Sequence, residues 1–80
     1  MSKRSPRSQQ EALLSLLREI RSDAGLRQVD LADKLGQPQP YVSRYESGER
    51  RLDILELREV CEAVGITLDE FAARLDQRLK

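Results

Sequence analysis

Residues 28–48 read QVDLADKLGQPQPYVSRYESG, and the way this stretch divides decides the fold. Val29, Leu31, Ala32 and Leu35 recur at helical spacing, so a short helix is expected from about residue 28 to 35. Gly36 follows, and glycine takes the left-handed conformation that stops a helix. Gln-Pro-Gln-Pro at 37–40 then holds two of the chain's three prolines. A proline inside a helix breaks it. At the first helical position it costs nothing, because the N–H it lacks would have no partner there. The next helix is therefore predicted to open at Pro40 and run over about 40–47, with Gly48 as its stop. Pro38 stiffens the turn. Gln39, which precedes a proline, is expected in the extended geometry of a cap residue. Val42 and Tyr45 lie three apart and can both point inward.

The same punctuation continues on either side. Ser8-Gln-Gln-Glu11 has the form of a capping box, in which the serine oxygen accepts an amide and the glutamate reaches back. Leu13, Leu16, Leu17, Ile20 and Ala24 then make one face of a first helix, and Gly25 ends it. Asp53-Ile-Leu-Glu56 is a second such box. Leu52 before it and Leu57 inside it form a hydrophobic staple. The buried face of that helix is expected to hold Ile54, Leu57, Val60, Cys61 and Val64, with Gly65 as the stop. Thr67 and Glu70 repeat the scheme, with Ile66 stapled onto Phe71. A last helix over about 68–79 carries Leu68, Phe71, Ala72, Leu75 and Leu79. No segment alternates as a strand would. The expected fold is all-α: five helices in a single domain over residues 8–80, behind a flexible basic tail at 1–7.

Lys+Arg and Asp+Glu both number 14, so no global charge draws the chain to nucleic acid or membrane. The distribution is uneven. Residues 1–27 hold six basic and three acidic groups, and residues 52–80 hold four basic and seven acidic. A nucleic-acid site must then be a local patch, with the acidic last third turned away. No apolar run reaches the ~18 residues of a membrane span. Histidine is absent, no Cys/His or Asp/His metal spacing appears, and no glycine-rich phosphate loop exists. The sequence therefore offers no footing for catalysis and calls for no metal, cofactor or small-molecule ligand. The single cysteine, Cys61, has no partner for an internal disulfide. That fits a reducing, cytoplasmic setting. On an apolar helix face between Glu59 and Glu62, it reads as an inert small hydrophobe.

Helix, tight turn and helix over 28–47 make a helix-turn-helix arrangement. Beyond the pattern, the chain resembles the Cro and phage-repressor (XRE-like) family of DNA-binding domains. The matching residues are Arg21 four before Gly25, Gly-Leu-x-Gln at 25–28, Leu31-Ala32 and Leu35-Gly36. Val-Ser-Arg-Tyr-Glu-x-Gly at 42–48 is the most specific piece, and Ala-Val-Gly-Ile at 63–66 completes the set. The resemblance covers roughly residues 13–72. It implies a lambda-repressor-like five-helix domain whose third helix enters the major groove of double-stranded DNA while the second crosses the phosphate backbone. Carried over residue by residue, it places Gln39, Pro40, Tyr41, Ser43 and Arg44 at base edges. Gln pairs with adenine and Arg with guanine. Gln28, Arg50 and Arg51 are placed at phosphates. It also implies an ion pair between Arg21 and Glu46 that ties the first helix to the third and is structural.

The implied function is that of a small transcription regulator, a repressor acting on an operator. Arg44 and Arg50-Arg51 can also be read as solvated charge, and Gln39 as a plain cap. Arg27 and Pro38 stand where family members often place a short-chain cap residue. The last helix leaves an apolar strip of Phe71, Leu75 and Leu79, expected to join two copies as a homodimer. A two-fold dimer sets recognition helices ~34 Å apart, one turn of DNA. The rival function on the same scaffold is a protein-interaction module, such as an antitoxin or adaptor.

Overall fold

The computed structural model describes residues 5–80. Among them it contains five helices: α1 (Pro6–Asp23), α2 (Gln28–Leu35), α3 (Pro40–Glu46), α4 (Ile54–Val64) and α5 (Leu68–Leu79). Helix α1 packs on α3 and α5, α2 on α3 and α4, and α4 on α5. Every helix sends a side chain to one core. That core comprises Leu16, Leu17 and Ile20, Leu31 and Ala32, Val42 and Tyr45, Val60 and Cys61, and Phe71.

Helix α1 starts one turn earlier than its sequence box implied. Ser5 is the cap, its oxygen accepting the Ser8 amide at 3.1 Å, and Pro6 fills the first position. A serine followed by proline both caps a helix and presets its first φ angle. That pair overrides the Ser8–Glu11 box, and Ser8 becomes a residue of the first turn. Of the tail expected at 1–7, Pro6 and Arg7 are therefore helical, and residues 1–4 lie outside the described residues.

The box at the start of α4 forms as read. The Glu56 amide donates to Asp53 Oδ1 at 2.7 Å, and the Asp53 amide donates to Glu56 Oε1 at 3.0 Å. At α5 only half of it forms. Thr67 Oγ1 accepts the Glu70 amide at 3.2 Å, while the Glu70 carboxylate turns to Arg74 at 2.9 Å. An i,i+4 ion partner on the same face competes for the carboxylate that was to reach back.

Three residues assigned to the core are instead exposed. Ile54 is 62 % exposed, because it opens α4 before that helix has descended onto the core. Ala24 and Ala72 are also exposed. Ala24 sits past the end of α1, and Ala72 lies on the open side of α5 beside the buried Phe71. Leu55, next to Ile54, is 71 % exposed.

Candidate nucleic-acid interface

The turn between α2 and α3 closes by backbone bonds alone. Gly36 takes φ +65°, and the Gln37 amide donates to the Ala32 carbonyl at 3.0 Å. Pro40 is the first residue of α3. Gln39 before it is not extended: its φ and ψ are −49° and −42°, and its side chain makes no cap bond. The reason is the Tyr41 amide, which donates to the Pro38 carbonyl at 2.9 Å. That bond needs Gln39 and Pro40 both helical, and it offsets the crowding that normally keeps a residue before proline extended. The Gln39 side chain is left exposed at the tip of α3.

The orientation of α3 is held from beneath by Glu46, which is 2 % exposed. Arg21 Nε lies 2.7 Å from Glu46 Oε2, and Arg21 Nη2 donates to Oε1 at 3.0 Å. Gln28 Nε2 donates to the same Oε1 at 3.0 Å, so the carboxylate accepts three donors. Arg21 Nη1 caps the Leu26 carbonyl at 2.9 Å, and Arg18 Nη1 caps the Glu46 carbonyl at 3.0 Å. A charge this deeply buried persists only when paired and fully hydrogen-bonded. Three segments, α1, the start of α2 and the end of α3, converge on it. The Gln28 side chain, expected at a phosphate, is hydrogen-bonded to Glu46 here, and its amide lies in the first turn of α2. Arg18 was not singled out from the sequence. Its signal was available: it lies three residues before Arg21, on the same side of α1.

The outer face of α3 is open. Gln39, Pro40 and Arg44 are exposed, and no ion pair or hydrogen bond holds the Arg44 side chain among the described residues. Ser43 is half-buried, its hydroxyl donating to the Pro40 carbonyl at 3.1 Å. Tyr41 is also half-buried, edge-on to Tyr45 with ring centroids 5.7 Å apart. Burial pushes its hydroxyl above the usual tyrosine range.

The two loop arginines diverge. Arg50 pairs with Glu56 at 2.7 Å and stacks 4.8 Å above the Tyr41 ring, whereas Arg51 is exposed. At the start of α2, Asp30 supplies what Arg27 cannot. Its carboxylate accepts the Arg27 amide at 2.9 Å and the Arg27 guanidinium at 2.9 and 3.0 Å. Those bonds hold Asp30 below the usual carboxylate range.

Phe71, expected at a dimer contact, is 1 % exposed and belongs to the core. It offers a partner almost no surface, because α5 lies back against α1 and α4 and points that ring inward. Leu75 and Leu79 are half-buried, and Arg78 of α5 pairs with Glu19 of α1. Cys61 is fully buried, and burial raises its thiol above the ordinary range. No helix among the described residues is long and apolar enough to cross a membrane.

Comparison with known proteins agrees with this architecture. The helix-turn-helix family model matches residues 17–71. An XRE-family-like protein from Pseudomonas syringae pv. tomato str. DC3000 is 39% identical, with a TM-score of 0.84 over 92% of this chain and 90% of that one. The clp gene regulator ClgR from Corynebacterium glutamicum is 27% identical, with a TM-score of 0.77 over 89% of this chain and 76% of that one. No curated protein matches. With the family match spanning α2, the turn and α3, and the whole five-helix arrangement shared, the chain belongs to the XRE-like helix-turn-helix family of DNA-binding domains.

Proposed function

We propose that this chain is a cytoplasmic transcriptional repressor that binds an operator in double-stranded DNA with α3 in the major groove. The observation that carries the reading is the open polar face of α3. There Gln39 and Arg44 stand exposed on a helix whose opposite face is anchored by Val42, Tyr45 and Glu46. A rigid helix with free, donor-rich side chains is what base readout requires. Gln39 and Arg44 read bases, Ser43 and the ring edge of Tyr41 flank them, and Pro40 offers apolar contact. Arg51 and the first amides of α2 take phosphates. A second copy joins through the end of α5, with Leu75 and Leu79 at the seam, so that two α3 helices meet successive turns of the groove.

The test is selection of bound sites from random duplexes, followed by Arg44→Ala. The substitution is expected to lower affinity for the selected site by ~1–3 kcal/mol with the circular dichroism unchanged. Undiminished binding by the variant would remove Arg44 from the reading face. Failure of the wild type to retain on a DNA column at low salt would sink the proposal. Sedimentation tests the seam: Leu79→Lys is expected to turn a dimer into a folded monomer. The rival role, a protein-interaction module, draws on the exposed Ile54 and Leu55. Retention of the wild type on DNA discriminates against it.

A further inference from the structure

Arg50 and Arg51 are adjacent in the loop after α3, yet their side chains have different surroundings. Arg50 Nη2 donates to Glu56 Oε2 at 2.7 Å, and Nη1 donates to Glu56 Oε1 and to the Arg51 carbonyl, both at 3.2 Å. The guanidinium carbon lies over Tyr41, 4.8 Å from the ring centroid. No hydrogen bond or ion pair engages the Arg51 side chain among the described residues.

Glu56 is fixed independently of Arg50. It is the reciprocal member of the α4 capping box, with its amide on Asp53 Oδ1 and its Oε1 on the Asp53 amide. The backbone of Arg50 is fixed as well, its amide donating to the Arg44 carbonyl at 3.1 Å. The latched guanidinium therefore spans two fixed points. It also borders a shallow depression shared with Gln37, Pro38, Pro40, Tyr41 and Arg44, the surface at the start of α3.

A carboxylate and a phosphate present the same bidentate acceptor to an arginine fork. We infer that Glu56 acts as an internal phosphate mimic: by holding Arg50 over Tyr41 it keeps that cation off the DNA backbone and limits sequence-independent affinity. The inference rests on the DNA-binding reading above. It also gives the adjacent arginines separate duties, Arg51 as the backbone contact and Arg50 as the cover of Tyr41. Low non-specific affinity matters to a regulator, because bulk DNA competes with the operator for every molecule.

The test compares wild type, Glu56→Gln and Arg50→Gln/Glu56→Gln on a scrambled duplex across a salt series. Glutamine is accepted at that position of a capping box, so α4 keeps its start while the negative charge is lost. Each backbone contact adds about 0.9 to the slope of log affinity against log salt. Glu56→Gln is expected to steepen the slope by that amount, which is about eightfold tighter binding at 0.1 M relative to 1 M salt. The double variant is expected to lose this gain. Glu56→Ala, which removes the cap too, is expected to steepen the slope equally. An unchanged or shallower slope in Glu56→Gln, or a gain that survives in the double variant, would overturn the inference while leaving DNA binding intact. Absence of any wild-type binding would remove the DNA-binding reading and this inference together.

Discussion

Tyr45 carries the least comfortable atom in the core. Its ring is fully buried, and no group among the described residues pairs with its Oη. Burial pushes the hydroxyl's pKa far up. An unpaired buried hydroxyl costs roughly 1–3 kcal/mol. Tyr45→Phe is therefore expected to raise the denaturation midpoint, with ~1 kcal/mol of added stability. A loss of stability would mean that the hydroxyl has a partner. Glu46 is the opposite case, a buried charge with three side-chain donors. Glu46→Ala strands Arg21, which is 17 % exposed. It is expected to cost about 3 kcal/mol in chemical denaturation. Cys61 completes the residue scale. Its buried thiol is expected to react with a disulfide reagent on the order of a thousandfold more slowly in the native state than in denaturant. That is the closed-to-open ratio of a domain only ~4 kcal/mol stable.

Among the elements, the loop after α3 is the tightest joint. Gly48 has φ +85°, and a Cβ there would lie 3.1 Å from Leu14 Cδ1 of α1. Gly36 has φ +65° and open space around it. Alanine at either position pays the left-handed penalty of ~1–2 kcal/mol, and at 48 the Leu14 side chain must also give by a few tenths of an ångström. Gly48→Ala is expected to lower the melting temperature more than Gly36→Ala. Equal losses would show that Leu14 yields freely. The turn signals at Gly25, Gly36, Gly48 and Gly65 were plain in the sequence, because glycine stops act through the local backbone. The Ser8–Glu11 box misled because two competent caps, Ser5 and Ser8, lie three residues apart, and only the proline after Ser5 separates them.

Across the molecule, two of the ion pairs among the described residues tie elements distant in sequence. Glu46 joins α3 to α1, and Arg78 joins α5 to α1. Asp30 and Glu56 are both held below the usual carboxylate range by their arginine partners. A depressed carboxylate contributes stability that is complete above its unfolded pKa and is lost as pH falls through its folded one. The melting temperature is therefore expected to stay level from about pH 8 to 5 and to fall below about pH 4. A decline already under way near pH 6 would count against these pairs.

Local chemistry sufficed for helices, stops and the helix-turn-helix register, since caps, glycines and 3.6-residue periodicity act within a few residues. The Arg21–Glu46 pairing was legible only through resemblance, as nothing local links residues 25 apart. The orientation of α5, which buries Phe71, and the placement of α4, which leaves Ile54 and Leu55 in water, emerged only in three dimensions. So did the division of labour between Arg50 and Arg51. A side chain's burial and its choice of partner depend on which helix arrives opposite it, and periodicity along one helix does not contain that information.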